Sequence, residues 1–245
     1  MRSLLFCAVF ILAAPVARAE VLVFAAASLK EPLDRMAALF DDVVVSYGGS
    51  GTLARQVSLG APAAVVLLAN VDWMDVLVEG GNVQPETLAD FASNRLVMIG
   101  QAGAAPLTLE PVALQGALGD GRLAVGLTES VPAGIYAKAA LQSSGLWDVV
   151  QDQLAEVDNV RAALALVIRG QTPLGIVYQS DVRISDAVVT VATFPPESHP
   201  PIRYVGALSL NADPAARAFF NFVLSAEGQA ILADAGFLSP LVAAK

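Results

Sequence analysis

The chain has one cysteine and one histidine in 245 residues. Cys7 lies inside an apolar N-terminal stretch, so everything after it lacks a thiol for a disulfide or a metal site. His199 sits in the proline-rich segment Pro195–Pro201, which leaves no histidine for a serine triad or a metal cluster elsewhere. Positive charge is also scarce: 14 Lys+Arg stand against 23 Asp+Glu, a formal charge of −9. Such an acidic chain is a poor match for nucleic acid or anionic lipid. Ser50 lies in Gly48-Gly49-Ser50-Gly51-Thr52, which is not the G-x-S-x-G nucleophile elbow, and no lysine follows those glycines as a nucleotide P-loop requires. The acidic residues are scattered without an obvious catalytic pair. After the N-terminal stretch, no segment carries the ~18 uninterrupted apolar residues of a membrane-spanning helix. The 56% hydrophobic content is instead alanine and valine spread through short elements.

What is present begins with a leader. Arg2, the apolar run Leu4–Ala14 and the small-x-small site Ala17-Arg18-Ala19 read as a secretory signal peptide over residues 1–19, cleaved after Ala19. Without Arg2 and Arg18 the formal charge moves from −9 to −11. This predicts a periplasmic protein with Glu20 at its N-terminus.

Beyond the leader, short apolar runs alternate with helical patterns, which implies mostly parallel sheets flanked by helices in an α/β fold. Val21–Ala26 reads as a doubly buried strand, and Ser28 with Glu31 has the spacing of a capping box. Val43–Val45 is a strand, followed by the glycine turn and a helix from about Thr52 to Leu59. Ala64–Ala69 is a strand, Trp73–Val78 a helix, Glu86–Ala92 a further helical piece, and Arg95–Ile99 a strand. Gln101–Pro106, small and proline-bearing, reads as a crossing between two lobes. The pattern then restarts: strand Leu123–Leu127, a helix opened by Pro132 and closed at Gly145, and a helix Val160–Arg169 capped by Asp158-Asn159. Strands at Leu174–Tyr178, Val188–Phe194 and Tyr204–Leu210 and two closing helices complete the chain. One lobe is expected from residues 20–100 plus 203–245, and the other from 101–202.

In open α/β sheets, ligands bind beyond the carboxyl ends of the strands, near helix N-termini. Four such ends carry small or hydroxyl residues: Ser28, Ser50, Pro132-Ala133 and Asn159-Val160. Tyr178, at another strand exit, adds a phenolic donor. Each has an ordinary alternative. Ser28 and Ser50 suit plain helix caps, Tyr178 suits packing, and Ala133 and Val160 offer only backbone N–H groups. Arg55 and Arg161, one turn into their helices, suit structural or solvated roles, and Trp73 and Trp147 suit packing. Together, however, the donors define an interlobe cleft that holds a dianion on neutral N–H and O–H groups and helix dipoles.

The ordered set Ala25-Ala26-Ala27-Ser28-Leu29, Gly49–Gln56, Gly60-Ala61-Pro62-Ala63, Trp73-Met74, Arg122–Gly126, Val131–Ala137, Val160–Val167, Gly175–Tyr178 and Ser180-Asp181 resembles the periplasmic molybdate-binding proteins of bacterial molybdate ABC importers. The resemblance spans nearly all of the chain after the leader. It implies a two-lobed type II periplasmic-binding fold, closing over one tetrahedral oxyanion held by Ser28, Ser50, Ala133, Val160 and Tyr178. It also implies molybdenum only as molybdate (or tungstate), no cofactor, no catalysis, and delivery to a membrane permease; a monomer is the simplest expectation. Three positions depart from the family: Ala64 and Asn70 stand where aspartate is common, and Leu127-Thr128 replaces an Asp-Pro type turn. Two other readings stand beside this one: a sulfate or phosphate receptor of the same fold, and a secreted phosphatase-like hydrolase using the anion pocket. A donor set without acceptors would disfavour protonated phosphate, whose O–H would lack a partner.

Overall fold

The computed structural model describes residues 20–241; the leader expected over residues 1–19 lies outside them. The first elements are β1 (Val21–Ala26), α1 (Lys30–Ala37), β2 (Val43–Gly48), α2 (Ser50–Ser58), β3 (Val65–Leu68), α3 (Val71–Glu79) and β4 (Ala89–Ser93). Then come β5 (Leu96–Gln101), α4 (Pro111–Leu118), β6 (Leu123–Gly126), α5 (Pro132–Ser143), α6 (Trp147–Val150), β7 (Leu154–Val157), α7 (Val160–Ile168), β8 (Leu174–Tyr178), α8 (Gln179–Val182) and β9 (Val188–Thr193). The chain closes with β10 (Arg203–Leu208), α9 (Pro214–Leu224) and α10 (Ala226–Asp234).

These strands form two five-stranded sheets, ordered β2-β1-β3-β10-β4 and β7-β6-β8-β5-β9. Each is the core of one lobe. In each sheet one strand, β10 or β5, pairs antiparallel with both neighbours, while the other pairings are parallel. The mostly parallel, two-lobed α/β architecture expected from the alternating pattern is therefore what is found. β3, β6 and β8 are buried along their whole length, as strands covered on both faces must be, and this is why they read as unbroken apolar runs. The first lobe's remaining layer comes from the chain's end: Phe219 and Phe222 of α9 pack edge-on against Phe40, with Phe40–Phe219 centroids 5.3 Å apart.

The reversed strands are also the crossing strands. The chain leaves the first sheet at β4 and enters the second at β5 through only Asn94-Arg95. It returns from β9 to β10 through residues 194–202. Gln101–Pro106, expected to cross between lobes, instead follows β5 inside the second lobe, where Ala102 N donates to Ala187 O and Ala104 N to Gln101 O. The helical piece expected over Glu86–Ala92 is a single turn, Pro85–Thr87, followed by β4. Leu88, Phe91 and Ala92 mimic a helical spacing. Pairing with β10, more than a hundred residues away, decides the matter.

Candidate functional site

The ends of β1 and β2 place the first two serines. After β1 the chain makes a single tight turn, Ala27–Leu29, that buries Ser28. No side-chain cap forms there, so the capping box expected from Ser28 and Glu31 is not used. Ser28 Oγ instead lies 2.9 Å from Tyr204 Oη, and the Glu31 carboxylate takes the Arg161 guanidinium. Ser50 is the first residue of α2, and it does not cap the helix. Its Oγ accepts from Ala69 N at 3.0 Å, so its own proton is left to donate elsewhere.

The second lobe supplies two helix starts. Pro132 occupies the first turn of α5, where its missing N–H costs nothing, and Ala133 follows it. Asn159 caps α7 as the sequence indicated, its Oδ1 accepting from Ala162 N at 3.0 Å. The N–H groups of the first helical residues, Val160 among them, have no partner within the helix. Tyr178, at the end of β8, is 1% exposed, and its hydroxyl has no hydrogen-bond partner among the described residues.

All five residues singled out from the sequence line one cavity, together with Gly49, Ala69, Pro132 and Asn159. It lies at the junction of the two lobes, and no charged side chain lines it. Burial pushes the Tyr178 phenol well above its usual range, so it stays a neutral donor. Among the described residues no cluster of His, Cys, Asp or Glu has the makings of a metal site. The cavity offers hydroxyls, helix N-termini and small side chains, which suits a compact anion and provides no nucleophile–base pair.

Arg55 and Arg161 stay out of the cavity lining. Arg55 lies over the Trp73 ring at 5.6 Å. Arg161 is the centre of an interlobe ion cluster. It donates to Asp181 Oδ1 at 2.6 Å, to both Glu31 oxygens, and to the Ser28 carbonyl at 2.9 Å. Burial pushes the Asp181 carboxyl up to about 6 even though Arg161 and the Tyr178 N–H oppose the shift.

Other interlobe contacts seal the cleft. Trp73 Nε1 donates to Ser130 O at 2.9 Å and Tyr136 Oη to Ala69 O at 3.3 Å. Gly49 and Gly51 are needed for this approach. A Cβ on Gly49 would overlap the Asp158 carbonyl oxygen, and one on Gly51 would sit 2.5 Å from Ser130 O. The lobes are therefore closed on the cavity. Ala69, Tyr136 and Tyr204 were not picked out from the sequence. Ala69 ends a buried strand with no side-chain chemistry, Tyr136 falls within Val131–Ala137 but reaches across to the other lobe, and Tyr204 carries no local motif.

A two-lobed α/β chain that closes a charge-free, donor-lined cavity between its lobes has the build of a solute-binding protein. Residues 21–238 match the family described as bacterial extracellular solute-binding protein, and the chain belongs to that family. It is 39% identical over 227 residues to the molybdate-binding protein ModA of Escherichia coli (strain K12), an alignment covering 89% of this chain and 88% of that one. It is 40% identical over 230 residues to ModA of Haemophilus influenzae, covering 90% and 91%. The periplasmic molybdate-binding protein of Azotobacter vinelandii superposes with a TM-score of 0.78 at 23% identity, covering 91% of this chain and all of that one, which speaks to the fold.

Proposed function

We propose that this chain is a periplasmic receptor that captures molybdate, and tungstate with it, and hands the anion to the permease of an ABC importer. The observation that carries the reading is the cavity. Ser28, Ser50 and Tyr178 bring hydroxyls, and α2, α5 and α7 bring their N-termini, to one uncharged enclosure. The kinship to two molybdate-binding relatives over about nine-tenths of the chain supports the choice of anion.

On this reading the hydroxyls and the backbone N–H groups of Ser28, Ser50, Ala133 and Val160 surround the oxyanion, and Tyr178 completes the shell. Each converging helix end is worth about 0.3–1 kcal/mol to an anion when exposed and more when desolvated. No bond is made or broken. The leader directs export, and the mature protein acts as a monomer. Departures at Ala64, Asn70 and Leu127-Thr128 fall outside the cavity lining, so the first two bear on lobe contacts or permease docking and the third on loop shape, rather than on the anion.

The test is calorimetric titration of the mature protein with sodium molybdate, tungstate, sulfate and phosphate. One-to-one binding of the first two, with no heat from the others, is the expected result. Sulfate or phosphate binding in their place would keep the fold and overturn the ligand. Turnover of phosphate or sulfate esters would point to the hydrolase reading.

A further inference from the structure

Tyr204 does not line the cavity, yet it is fully buried directly behind it. Its ring is clamped edge-on by Phe237, Phe91 and Tyr178, with centroids 5.2, 6.1 and 5.9 Å away. Its hydroxyl meets Ser28 Oγ at 2.9 Å, with the Asn94 side chain nearby. Asn94 occupies the two-residue crossing between the sheets. Its Oδ1 is taken by two backbone donors, Arg95 N at 3.0 Å and Ser180 N at 3.4 Å. That fixes the amide orientation, and its NH₂ donates to Ser180 Oγ at 2.8 Å. A fully buried phenol that did not donate would leave its proton without a partner, and Ser28 Oγ is the acceptor within reach. Ser28 then accepts from Tyr204 and must donate its own proton into the cavity.

We propose that Tyr204 is a positioning residue for the oxyanion, held by its ring contacts and acting through Ser28 to keep that serine a donor. The direction of donation runs Tyr204 to Ser28 to ligand, from the buried core of the first lobe to the cavity. Ser50 is committed in the same way by the Ala69 N–H. Both serines thus accept from the protein, which leaves each hydroxyl proton to be donated to the ligand. This deepens the molybdate reading and rests on it.

A double-mutant cycle tests the relay, with sodium molybdate titrated calorimetrically into the unmodified chain, Ser28→Ala, Tyr204→Phe and the double variant. Tyr204→Phe should raise the dissociation constant on the order of tenfold, the worth of one hydrogen bond that strengthens a donor to a charged ligand. In the Ser28→Ala background the same change should cost less than about twofold, because its effect runs through a hydroxyl no longer present. Equal losses in both backgrounds would mean that Tyr204 merely packs the cleft, and would overturn the proposal. Asn94→Asp gives a second reading should Tyr204→Phe not fold. The carboxylate accepts from Tyr204, turns the relay around and draws the Ser28 proton away from the ligand. Weaker molybdate binding is expected, and unchanged affinity would also overturn the proposal. If the unmodified chain binds no molybdate, the functional reading is what fails. If it binds and the losses add, the relay alone fails.

Discussion

The hydroxyls around the cavity differ in what the protein already does with them. Ser28 and Ser50 each have a partner, whereas the Tyr178 hydroxyl is buried without one among the described residues. An unpaired buried polar group costs about 1–3 kcal/mol, so Tyr178 is a group whose desolvation a ligand would relieve. Tyr178→Phe should therefore separate two properties that usually move together. Without ligand the midpoint of thermal unfolding should stay level or rise, since the orphan hydroxyl is gone. Molybdate affinity should fall by about ten- to a hundredfold, the range for a hydrogen bond to a charged group. Ser50→Ala should behave differently, because it orphans the Ala69 N–H. Its ligand-free stability should drop by about 1–3 kcal/mol along with affinity. Melting curves and calorimetry on the two variants check both statements; a Tyr178→Phe variant that melts lower than the unmodified chain would contradict the first. The phenol's pKa adds a pH sign. Since burial raises it above its usual 10, the phenol leaves stability independent of pH below about pH 10, and the ligand-free protein should lose stability as the pH rises above it, because only the unfolded chain gives up the proton there.

At the scale of elements, the site is a set of helix starts, and these were the parts most legible in the sequence. Pro132 in a first turn, Asn159 as a cap and the glycines before Ser50 are local signals, and local signals survive folding. What was illegible is non-local. β4 looks helical until β10 pairs with it, and the true crossing at Asn94-Arg95 is too short to leave a mark in composition. Tyr204 could not be assigned from its neighbours, since what matters is Ser28, 176 positions away in sequence. The glycine turn carries a prediction of its own. Gly49 has ordinary extended backbone, so alanine there strains no dihedral; its Cβ meets only the opposite lobe, at Asp158 and Val131. Gly49→Ala should leave each lobe folded, with the ligand-free melting point within a few degrees, and yet raise the molybdate dissociation constant by at least about tenfold by holding the lobes apart. X-ray scattering with saturating molybdate should then report a larger radius of gyration than for the unmodified chain. Equal radii would show that the lobes close around the added methyl group.

For the whole molecule the question is how a chain of net charge −9 binds a dianion at all. The acidic surface repels the ligand at a distance, and the cavity attracts it with dipoles at contact. The cations close enough to help are already committed: Arg161 is neutralised by Glu31 and Asp181, and Arg55 is turned onto Trp73. The two stages respond to salt differently. Long-range repulsion is screened once the Debye length falls from about 30 Å at 0.01 M to about 8 Å at 0.15 M, while contacts inside a closed cavity are shielded from ions. The association rate for molybdate should therefore rise severalfold across that range and the dissociation rate should stay constant, so that affinity improves with salt. Recognition through an unpaired arginine would give the reverse, a slower association as salt is added. Stopped-flow tryptophan fluorescence at the two ionic strengths distinguishes the cases, with Trp73 at the lobe junction as reporter. An association rate that falls with salt would mean that a guanidinium, and not the helix ends and hydroxyls, draws the anion in.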